Sequence, residues 1–316
     1  MLNRLKPIAS NWLKVGDGHE LYVAQYGHVD GIPLLYLHCG PGAGCSTAEL
    51  ALFDLSVYRV IMVDQRGAGR SRPSGELQHN NVANLLKDLE RVRQWLGLSQ
   101  WAVAGGSFGA TLGLLYAAAH PLRVVKQVLW GAFIPSEESI QWLYGQQGAA
   151  RLFPSEHLEF SVAATSDDRL QPLFEQYRAG LEHKSAAVRQ DYAQRWLNWE
   201  LALAYPGCQQ YQKNINFSQV LASIELYYVS NKYFAAVEQI CDSIVNIQAP
   251  TVILQGELDW VCPYGVLEVF LQDYPNQSIN VQEIQGGYHS LADMKMSKAV
   301  VNAIRQMAQT LDKGCK

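Results

Sequence analysis

The sequence predicts an α/β fold: a mostly parallel sheet with helices on both faces, interrupted by an inserted helical cap. Short apolar runs alternate with helix-like segments over the first 131 residues, and strand signals return near the start of the last quarter of the chain. Between them, residues 132–243 lack buried-strand runs and are rich in Gln, Glu, Trp and Tyr. Because alternating strands and helices indicate a parallel sheet, we assign residues 1–131 and 244–316 to the core and 132–243 to the cap.

Apolar spacing predicts the elements of the first core segment. Residues 19–27 (HELYVAQYG) predict an edge strand. Four later runs are almost continuously apolar, as in strands that are covered on both faces: PLLYLHC, YRVIMVDQ, QWAVAGG and VKQVLWG. Residues 81–97 carry leucines and valines at helical spacing and predict a helix.

The cap and the end of the chain follow the same reasoning. Residues 136–153 and 185–203 predict amphipathic helices, and residues 223–234 predict a helix, with a strand as the alternative. Strand signals return in APTVILQGELD and SINVQEIQGG, and a last helix is expected from about residue 294.

The composition excludes several classes of protein. Of the 316 residues, 48% are apolar and 17% are charged, with a net charge of -4, which is ordinary globular usage and excludes a disordered chain. No basic block could neutralise a nucleic-acid backbone, no apolar run is long enough to span a membrane, and the first residues do not resemble a secretory signal. We expect a cytoplasmic protein with neither nucleic acid nor a membrane as a partner. The sequence leaves the oligomeric state open, a homo-oligomer included.

The cysteines and histidines do not predict a metal site. The six cysteines, at positions 39, 45, 208, 241, 262 and 315, fit neither a paired metal spacing nor a disulfide framework. The eight histidines show no HExxH arrangement. We therefore expect reduced thiols, no bound metal and no cofactor.

The segment Gly105-Gly106-Ser107-Phe108-Gly109 carries the first chemical signal, since it lies between a predicted strand and a predicted helix. This is the G-x-S-x-G pattern in the strand-turn-helix context of a nucleophilic serine. Small neighbours are needed because the turn is sharp and the serine backbone is strained. The helix N-terminus favours developing negative charge. The alternative interpretation is a tight turn capped by a serine.

Two later loop residues supply what a serine nucleophile needs. A serine hydroxyl requires a base to take its proton and a carboxylate to orient that base. Asp259 follows the predicted strand TVILQG, and His289 follows the next predicted strand. Parallel sheets place their sites beyond the carboxyl ends of the strands. The sequence therefore predicts Ser107, Asp259 and His289 as a catalytic triad; a turn aspartate and a surface histidine are the alternatives.

Acyl transfer also needs hydrogen-bond donors for an oxyanion. The backbone amide of Phe108, directly after the nucleophile, is one expected donor. The second is expected from the glycine-rich loop 38–44 (HCGPGAG), which matches neither a dinucleotide-binding fingerprint nor a P-loop. The charged loop 64–71 (DQRGAGRS) is expected to stabilise neighbouring loops.

These motifs together resemble the proline iminopeptidase (prolyl aminopeptidase) family of α/β-hydrolases, from about residue 15 to the end. HCGPG, DQRGAGRS, GGSFGATLGLLYAAAHP and the late Asp and His carry the resemblance. The order Ser, Asp, His along the chain is also that of this fold. The resemblance implies a metal-independent serine exopeptidase that removes an N-terminal residue, preferably proline, from short peptides. It also implies that the amides of Gly40 and Phe108 are the oxyanion donors.

The resemblance further implies a site for the free amine of the substrate. In this family the cap supplies two glutamates, one in a W-x-x-W-E segment and one in an I-E segment before aromatic residues. Trp196-Leu197-Asn198-Trp199-Glu200 and Ile224-Glu225-Leu226-Tyr227-Tyr228 match them. Carboxylates suit a cationic amine, so Glu200 and Glu225 are expected to bind it. Phe108, Trp199, Tyr227 and Tyr228 are candidates for an apolar pocket, with ordinary core packing as the alternative.

The sequence also departs from the family pattern. Trp130 stands where the family usually has an arginine near the glutamates, which leaves more negative charge in the pocket or places the indole in the proline subsite. Cys39, Phe108 and Tyr288 replace other usual residues without removing a catalytic group. The missing arginine makes an esterase or amidase without a free-amine requirement the main alternative. A non-catalytic ligand-binding protein is the third hypothesis.

Overall fold

A computed structural model describes residues 6–161, 170–207 and 215–312. Over these residues one eight-stranded sheet is formed by β1 (Ala9–Gly16), β2 (His19–Gly27), β3 (Ile32–Leu37), β4 (Tyr58–Val63), β5 (Trp101–Gly106), β6 (Val124–Trp130), β7 (Thr251–Gly256) and β8 (Ile279–Ile284). The strand order is β1-β2-β4-β3-β5-β6-β7-β8. β2 pairs antiparallel with β1 and β4, and the other neighbours are parallel. The mostly parallel sheet is confirmed. Cys208 and Cys315 lie outside the described residues.

Ten helices accompany the sheet in the described parts of the chain: α1 (Val82–Trp95), α2 (Phe108–Ala119), α3 (Glu137–Tyr144), α4 (Pro154–Ser161), α5 (Leu170–Leu181), α6 (Ala186–Ala204), α7 (Ile215–Ser230), α8 (Ala236–Ser243), α9 (Tyr264–Asp273) and α10 (Met294–Asp312). Short 3₁₀ segments occupy Thr47–Leu52, Ala149–Arg151, Lys232–Ala235 and Ile244–Asn246. None of the described helices is both long and apolar enough to cross a membrane.

Helices cover both faces of the sheet, as the continuous apolar runs predict. Along β3, Leu35 and Leu37 belong to the core cluster that α1 and α2 share, whereas Leu34 and Tyr36 belong to the cluster that includes α10. Successive side chains of a strand point to opposite faces. Both sets are at most 1% exposed, so neither face of this strand can accept polar residues.

Several of the helices between β6 and β7 pack mainly on one another. α4, α5 and α7 each pack against α6 or one another. An aromatic cluster fills their centre, formed by Tyr144, Phe160, Tyr177, Trp196 and Trp199. α8 packs instead on α2. Residues 223–230, for which a helix or a strand was predicted, are helical within α7.

Two predicted elements are wrong in detail. Residues 19–27 form β2, which lies between β1 and β4, so the edge strand is β1. The single helix predicted over 136–153 ends at Tyr144 and is followed by a short 3₁₀ segment. Gly145, directly after this helix, has an extended backbone with φ of -83° and ψ of 160°, so the helix ends before it.

A left-handed turn follows α7. Lys232, Tyr233, Phe234 and Ala235 have φ of 49°, 48°, 55° and 58°. Residues with a β-carbon disfavour this conformation by about 1–2 kcal/mol each. The turn is therefore a strained segment that the packing of its neighbours has to stabilise.

Candidate active site

Ser107 lies in a strained turn between β5 and α2. Its φ and ψ are 55° and -124°, outside the regions that residues with a side chain prefer. A β-carbon at Gly105 would lie 3.0 Å from the carbonyl group of Gly109 and from Cβ of Leu37, and one at Gly109 would lie 2.3 Å from the carbonyl oxygen of Leu37. The glycines of the G-x-S-x-G pattern are therefore required by the close approach of neighbouring strands.

The backbone around the turn fixes the serine at a helix N-terminus. The amide of Ser107 donates to the carbonyl of Trp130 at 2.9 Å, and the carbonyl of Ser107 accepts from Ala110 at 2.9 Å. Free amides and the helix dipole in the first turn of α2 favour negative charge near the hydroxyl. The amide of Phe108 belongs to this turn.

Asp259 and His289 form the second part of the site. Nδ1 of His289 donates to Oδ2 of Asp259 at 2.8 Å. Asp259 is 1% exposed, and its Oδ1 accepts from the amides of Val261 at 3.1 Å and Cys262 at 2.7 Å. These donors stabilise a buried carboxylate. With Nδ1 protonated, Nε2 is the nitrogen of His289 that can accept a proton.

Ser107 and His289 line the same cavity, but their side chains are not hydrogen-bonded in this structure. The Ser107 hydroxyl lies close to the thiol of Cys262. Contacts between nucleophile and base are often loose in a free enzyme and tighten when substrate binds. The geometry thus brings together the three predicted triad residues with one of their two hydrogen bonds formed.

Gln255 is a site residue that the sequence did not indicate. It is fully buried, its amide donates to Oδ2 of Asp259 at 3.0 Å, and its Oε1 accepts from the amide of Ala132 at 2.9 Å. It also donates to the carbonyl of Cys262 at 2.5 Å. The available signal was a polar residue at the buried end of the apolar strand TVILQG.

His289 is confined from two sides. Gly131 has φ of 49°, and a β-carbon there would lie 2.8 Å from both Cε1 and Nδ1 of the imidazole. On the cap side, the amide of Ser290 donates to the carbonyl of Ala204, the last residue of α6, at 3.0 Å. The orientation of the imidazole thus depends on the end of β6 and on a cap helix.

The glycine-rich loop after β3 is held by a buried histidine. Nε2 of His38 accepts from the amide of Gln65 at 3.1 Å, and Nδ1 donates to the carbonyl of Cys39 at 3.0 Å. Burial lowers the pKa of His38, so the neutral ring that makes both bonds persists at pH 7. The loop presents Gly40, with φ of 52°, to the cavity.

The charged loop 64–71 stabilises its neighbours, as predicted. Oδ2 of Asp64 accepts from Nε of Arg70 at 2.8 Å, and Oδ1 accepts from the amide of Cys45 at 2.7 Å. Nε of Arg66 lies 2.6 Å from the buried carboxylate of Asp88. Arg66 and Arg70 therefore each hold this loop against a neighbouring segment of the chain.

A cavity of about 210 Å³ connects these groups. It is smaller than the roughly 300–1,000 Å³ of pockets for drug-sized ligands. Of the predicted residues it exposes Ser107, His289, Gly40, Phe108, Glu200 and Glu225. The rest of the lining is mainly apolar, with Phe133, Leu143, Tyr144, Leu197, Leu221 and Tyr233 among its members.

Glu200 on α6 and Glu225 on α7 face the cavity from the cap. Glu225 is 5% exposed, and its Oε2 accepts from Nε1 of Trp196 at 2.8 Å. A β-carbon at Gly40 would lie 2.6 Å from Oε1 of Glu225. One carboxylate therefore lies directly against the loop that is expected to bind the oxyanion.

Two tyrosines that the sequence did not indicate face the same carboxylates. Burial, followed by the charges of Glu225 and Glu200, raises the pKa of Tyr233 well above its usual value. Burial is also the largest cause of the raised pKa of Tyr144, and the nearby Tyr233, Glu200 and Glu225 raise this pKa further. Both side chains therefore stay protonated and can donate hydrogen bonds.

Two of the predicted pocket residues pack inside the cap instead. Nε1 of Trp199 donates to the carbonyl of Leu143 at 2.9 Å, and its ring stacks on Phe160 at 5.6 Å. Tyr227 is half-buried and packs on Phe234 at 5.4 Å. Neither lines the cavity, because helical periodicity turns them away from the face that carries the glutamates.

Tyr228 and Trp130 also lie outside the cavity lining. The hydroxyl of Tyr228 donates to Oδ1 of Asn80 at 2.9 Å, and its ring supports Phe108 at 5.4 Å. Trp130 is 1% exposed and stacks on Tyr36 at 6.4 Å, in the cluster that includes α10. The alternation of β6 directs this indole to the opposite face of the sheet, so the expected contact of Trp130 with substrate is wrong.

Asp259, Cys262 and His289 bring potential ligand atoms within 4.8 Å of one another in the described part of the chain. Both oxygens of Asp259 already accept hydrogen bonds. Burial, followed by the charge of Asp259, raises the pKa of the Cys262 thiol well above its usual value. The hydrogen bonds of Asp259 to His289 and to the Val261 and Cys262 amides account for this grouping without a metal ion.

The sheet order and the Ser, Asp, His arrangement define the class as the α/β-hydrolases, and a family model described as alpha/beta hydrolase fold matches residues 32–293. A proline iminopeptidase of Neisseria meningitidis serogroup A is 34% identical over 304 residues, covering 96% of this chain and 97% of the relative. One of Arabidopsis thaliana is 36% identical over 309 residues, covering 96% and 80%. The chain belongs to the proline iminopeptidase family, as the sequence motifs predicted.

A solved structure agrees at the level of the fold. The crystal structure of proline iminopeptidase from Mycobacterium smegmatis superposes with a TM-score of 0.65 at 20% identity, covering 98% of this chain and 100% of that one. The esterase EaEST from Exiguobacterium antarcticum reaches a TM-score of 0.63 at 18% identity, covering 95% and 100%. The predicted fold class is confirmed.

Proposed function

We propose that the chain is a serine aminopeptidase that releases an N-terminal residue, preferably proline, from short peptides or aminoacyl amides. One observation carries this proposal: Glu200 and Glu225 line the same small cavity as Ser107 and His289. Carboxylates in an otherwise apolar pocket suit a cationic amine. The names of the relatives, proline iminopeptidases, support the same substrate class.

In the proposed reaction Ser107 attacks the carbonyl carbon of the N-terminal residue. Its hydroxyl turns to Nε2 of His289, which takes the proton while Asp259 holds Nδ1. The amides of Gly40 and Phe108 donate to the oxyanion. His289 then protonates the leaving amine, and the peptide bond breaks to give an acyl-enzyme.

Water completes the cycle. His289 accepts a proton from the water that attacks the ester, and Ser107 leaves with its proton restored. The free N-terminal residue is the product. Throughout, Glu200 and Glu225 are proposed to hold the ammonium, so that only a substrate with a free amine places its carbonyl beside Ser107.

The proposal extends to the organisation of the chain. We assign residues 132–243 to a cap and residues 1–131 and 244–316 to the core, since the helices between β6 and β7 supply both glutamates. Cys39, Cys45, Cys241 and Cys262 are free thiols. Reduced cysteines are typical of the cytosol, which supports the cytoplasmic location that we propose.

A substrate panel tests the function. Prolyl, alanyl and other aminoacyl naphthylamides would be compared with their N-blocked forms and with p-nitrophenyl esters. We expect N-blocking to lower kcat/KM at least a hundredfold, and Glu225→Gln to raise KM for free-amine substrates while sparing blocked ones. Equal rates with and without the block would contradict the aminopeptidase proposal and indicate an esterase or amidase.

The role of the nucleophile has its own test. A fluorophosphonate is expected to label wild-type protein at Ser107, and Ser107→Ala should abolish both labelling and turnover while keeping the thermal unfolding temperature. Serine hydrolases lose roughly 10⁴-fold or more in kcat on such a change. Full turnover by Ser107→Ala would refute the assignment of the nucleophile.

A further inference from the structure

The left-handed turn between α7 and α8 carries one side chain into the active-site cavity. Its four residues, Lys232–Ala235, all have φ near 50°. Glycine adopts this region freely, whereas residues with a β-carbon do not. A backbone outlier of this kind calls for a functional explanation when it borders a site.

Only one of the four side chains enters the cavity. Lys232 and Ala235 are exposed, and Phe234 packs against Tyr227 at 5.4 Å and Tyr228 at 5.1 Å without lining the cavity. Tyr233 is 3% exposed and lines the cavity. The left-handed backbone therefore directs the Tyr233 ring into the cavity that Ser107 lines, whereas the neighbouring side chains remain outside this cavity.

Tyr233 fills space between the nucleophile and the cap. Its ring lies 5.1 Å from that of Phe133 and 6.0 Å from that of Phe108, the residue after the nucleophile. Tyr144 and Glu225 line the same cavity as Tyr233, and the charge of Glu225 acts on its hydroxyl. The ring thus occupies volume beside the position where an N-terminal side chain would lie if its ammonium met Glu225.

We propose that Tyr233 is a specificity-determining residue: its ring, delivered by the left-handed turn 232–235, restricts the acyl subsite to small N-terminal residues such as proline and alanine. The proposal rests on the function proposed above. The cavity measures about 210 Å³ with this ring in place, so removing the ring would enlarge the space open to an N-terminal side chain.

The test uses Tyr233→Gly with Lys232→Gly as its matched control. Both substitutions place glycine at a φ near 50°, but only the first removes a side chain from the cavity. The assay is kcat/KM for prolyl, alanyl, leucyl and phenylalanyl naphthylamides. We expect Tyr233→Gly to raise the phenylalanyl-to-alanyl ratio about tenfold or more, since pocket contacts of this size discriminate by roughly 10–200-fold. Lys232→Gly should leave the ratio unchanged.

Further variants keep the test decisive. Tyr233→Phe, which retains the ring, should keep the wild-type ratio, and Tyr233→Ala should shift it if the glycine variant does not fold. A folded Tyr233→Gly or Tyr233→Ala with the wild-type ratio would overturn the proposal, and so would an equal shift in Lys232→Gly. The N-blocked substrates report separately on the proposed function, because loss of the free-amine requirement alters the blocked-to-free ratio and not the preference for side-chain size.

Discussion

Adding one methyl group at Gly131 should displace the imidazole of His289 and lower kcat without unfolding the protein. A β-carbon there would lie 2.8 Å from two imidazole atoms and 3.2 Å from Oδ2 of Asp259. An ordinary van der Waals contact begins near 3.4 Å, so the ring of His289 must move by about 0.6 Å. A misplacement of 1 Å at a reacting group can cost about 100-fold. We therefore expect Gly131→Ala to lower kcat by roughly tenfold to 100-fold with little change in KM.

The assay is steady-state hydrolysis of prolyl naphthylamide, with urea unfolding measured in parallel. Gly131 has φ of 49°, so alanine should also cost about 1–2 kcal/mol of stability. Gly97→Ala is the matched control: Gly97 has φ of 67° and no atom within 4 Å of its added β-carbon. It should lose similar stability and keep full kcat. A Gly131→Ala enzyme with wild-type kcat would refute the argument that this contact aligns the base.

Three further predictions concern interactions around the site. Tyr228→Phe removes the hydrogen bond to Asn80 and should lower the free energy of unfolding by about 1 kcal/mol in urea titrations; no change would mean that this contact contributes nothing. Gln255→Leu removes a hydrogen bond to the Asp259 carboxylate. It should lower the free energy of unfolding by about 1.5–3 kcal/mol and should also lower kcat, whereas unchanged kinetics would show that Asp259 needs no such support. Burial raises the pKa of Glu49 from 4.5 to about 7, so the folded state binds this proton more tightly than the unfolded chain. The free energy of unfolding should therefore fall as the pH rises from about 4.5 to about 7. Glu49→Gln should remove this part of the pH dependence, and a variant whose stability follows the wild-type pH profile would contradict the assignment.

Local patterns predicted the elements that are buried on both faces, but not the order of the strands at the sheet edge. β1 has the sequence ASNWLKVG and is mostly exposed, so it has neither a continuous apolar run nor a strict alternation to reveal it. β2 contains polar residues such as Gln25, which is 7% exposed and accepts from Arg59 at 2.6 Å. Pairing between distant segments, rather than the local pattern, decides which strand lies at the edge.

The convergence of Ser107, Asp259 and His289 was predictable because each follows a strand in the sequence and the carboxyl ends of parallel strands lie at one edge of the sheet. The residues that line the cavity were less predictable from the sequence. Trp130 follows Leu129 along β6 and therefore lies on the opposite face of the sheet, which pattern analysis alone could have indicated. Tyr233 depends on a left-handed backbone that its residue types disfavour, so propensity gave no signal for its position.

The bond between Ser290 and Ala204 limits how the cavity can open. α6 carries Glu200 one turn before its last residue, and that last residue accepts from the amide next to His289. Tilting α6 outward to admit a peptide would break this bond and pull on the segment that bears the general base. Admission of substrate from that side would thus displace His289 until the helix returns, so the enzyme would be inactive for as long as it is open.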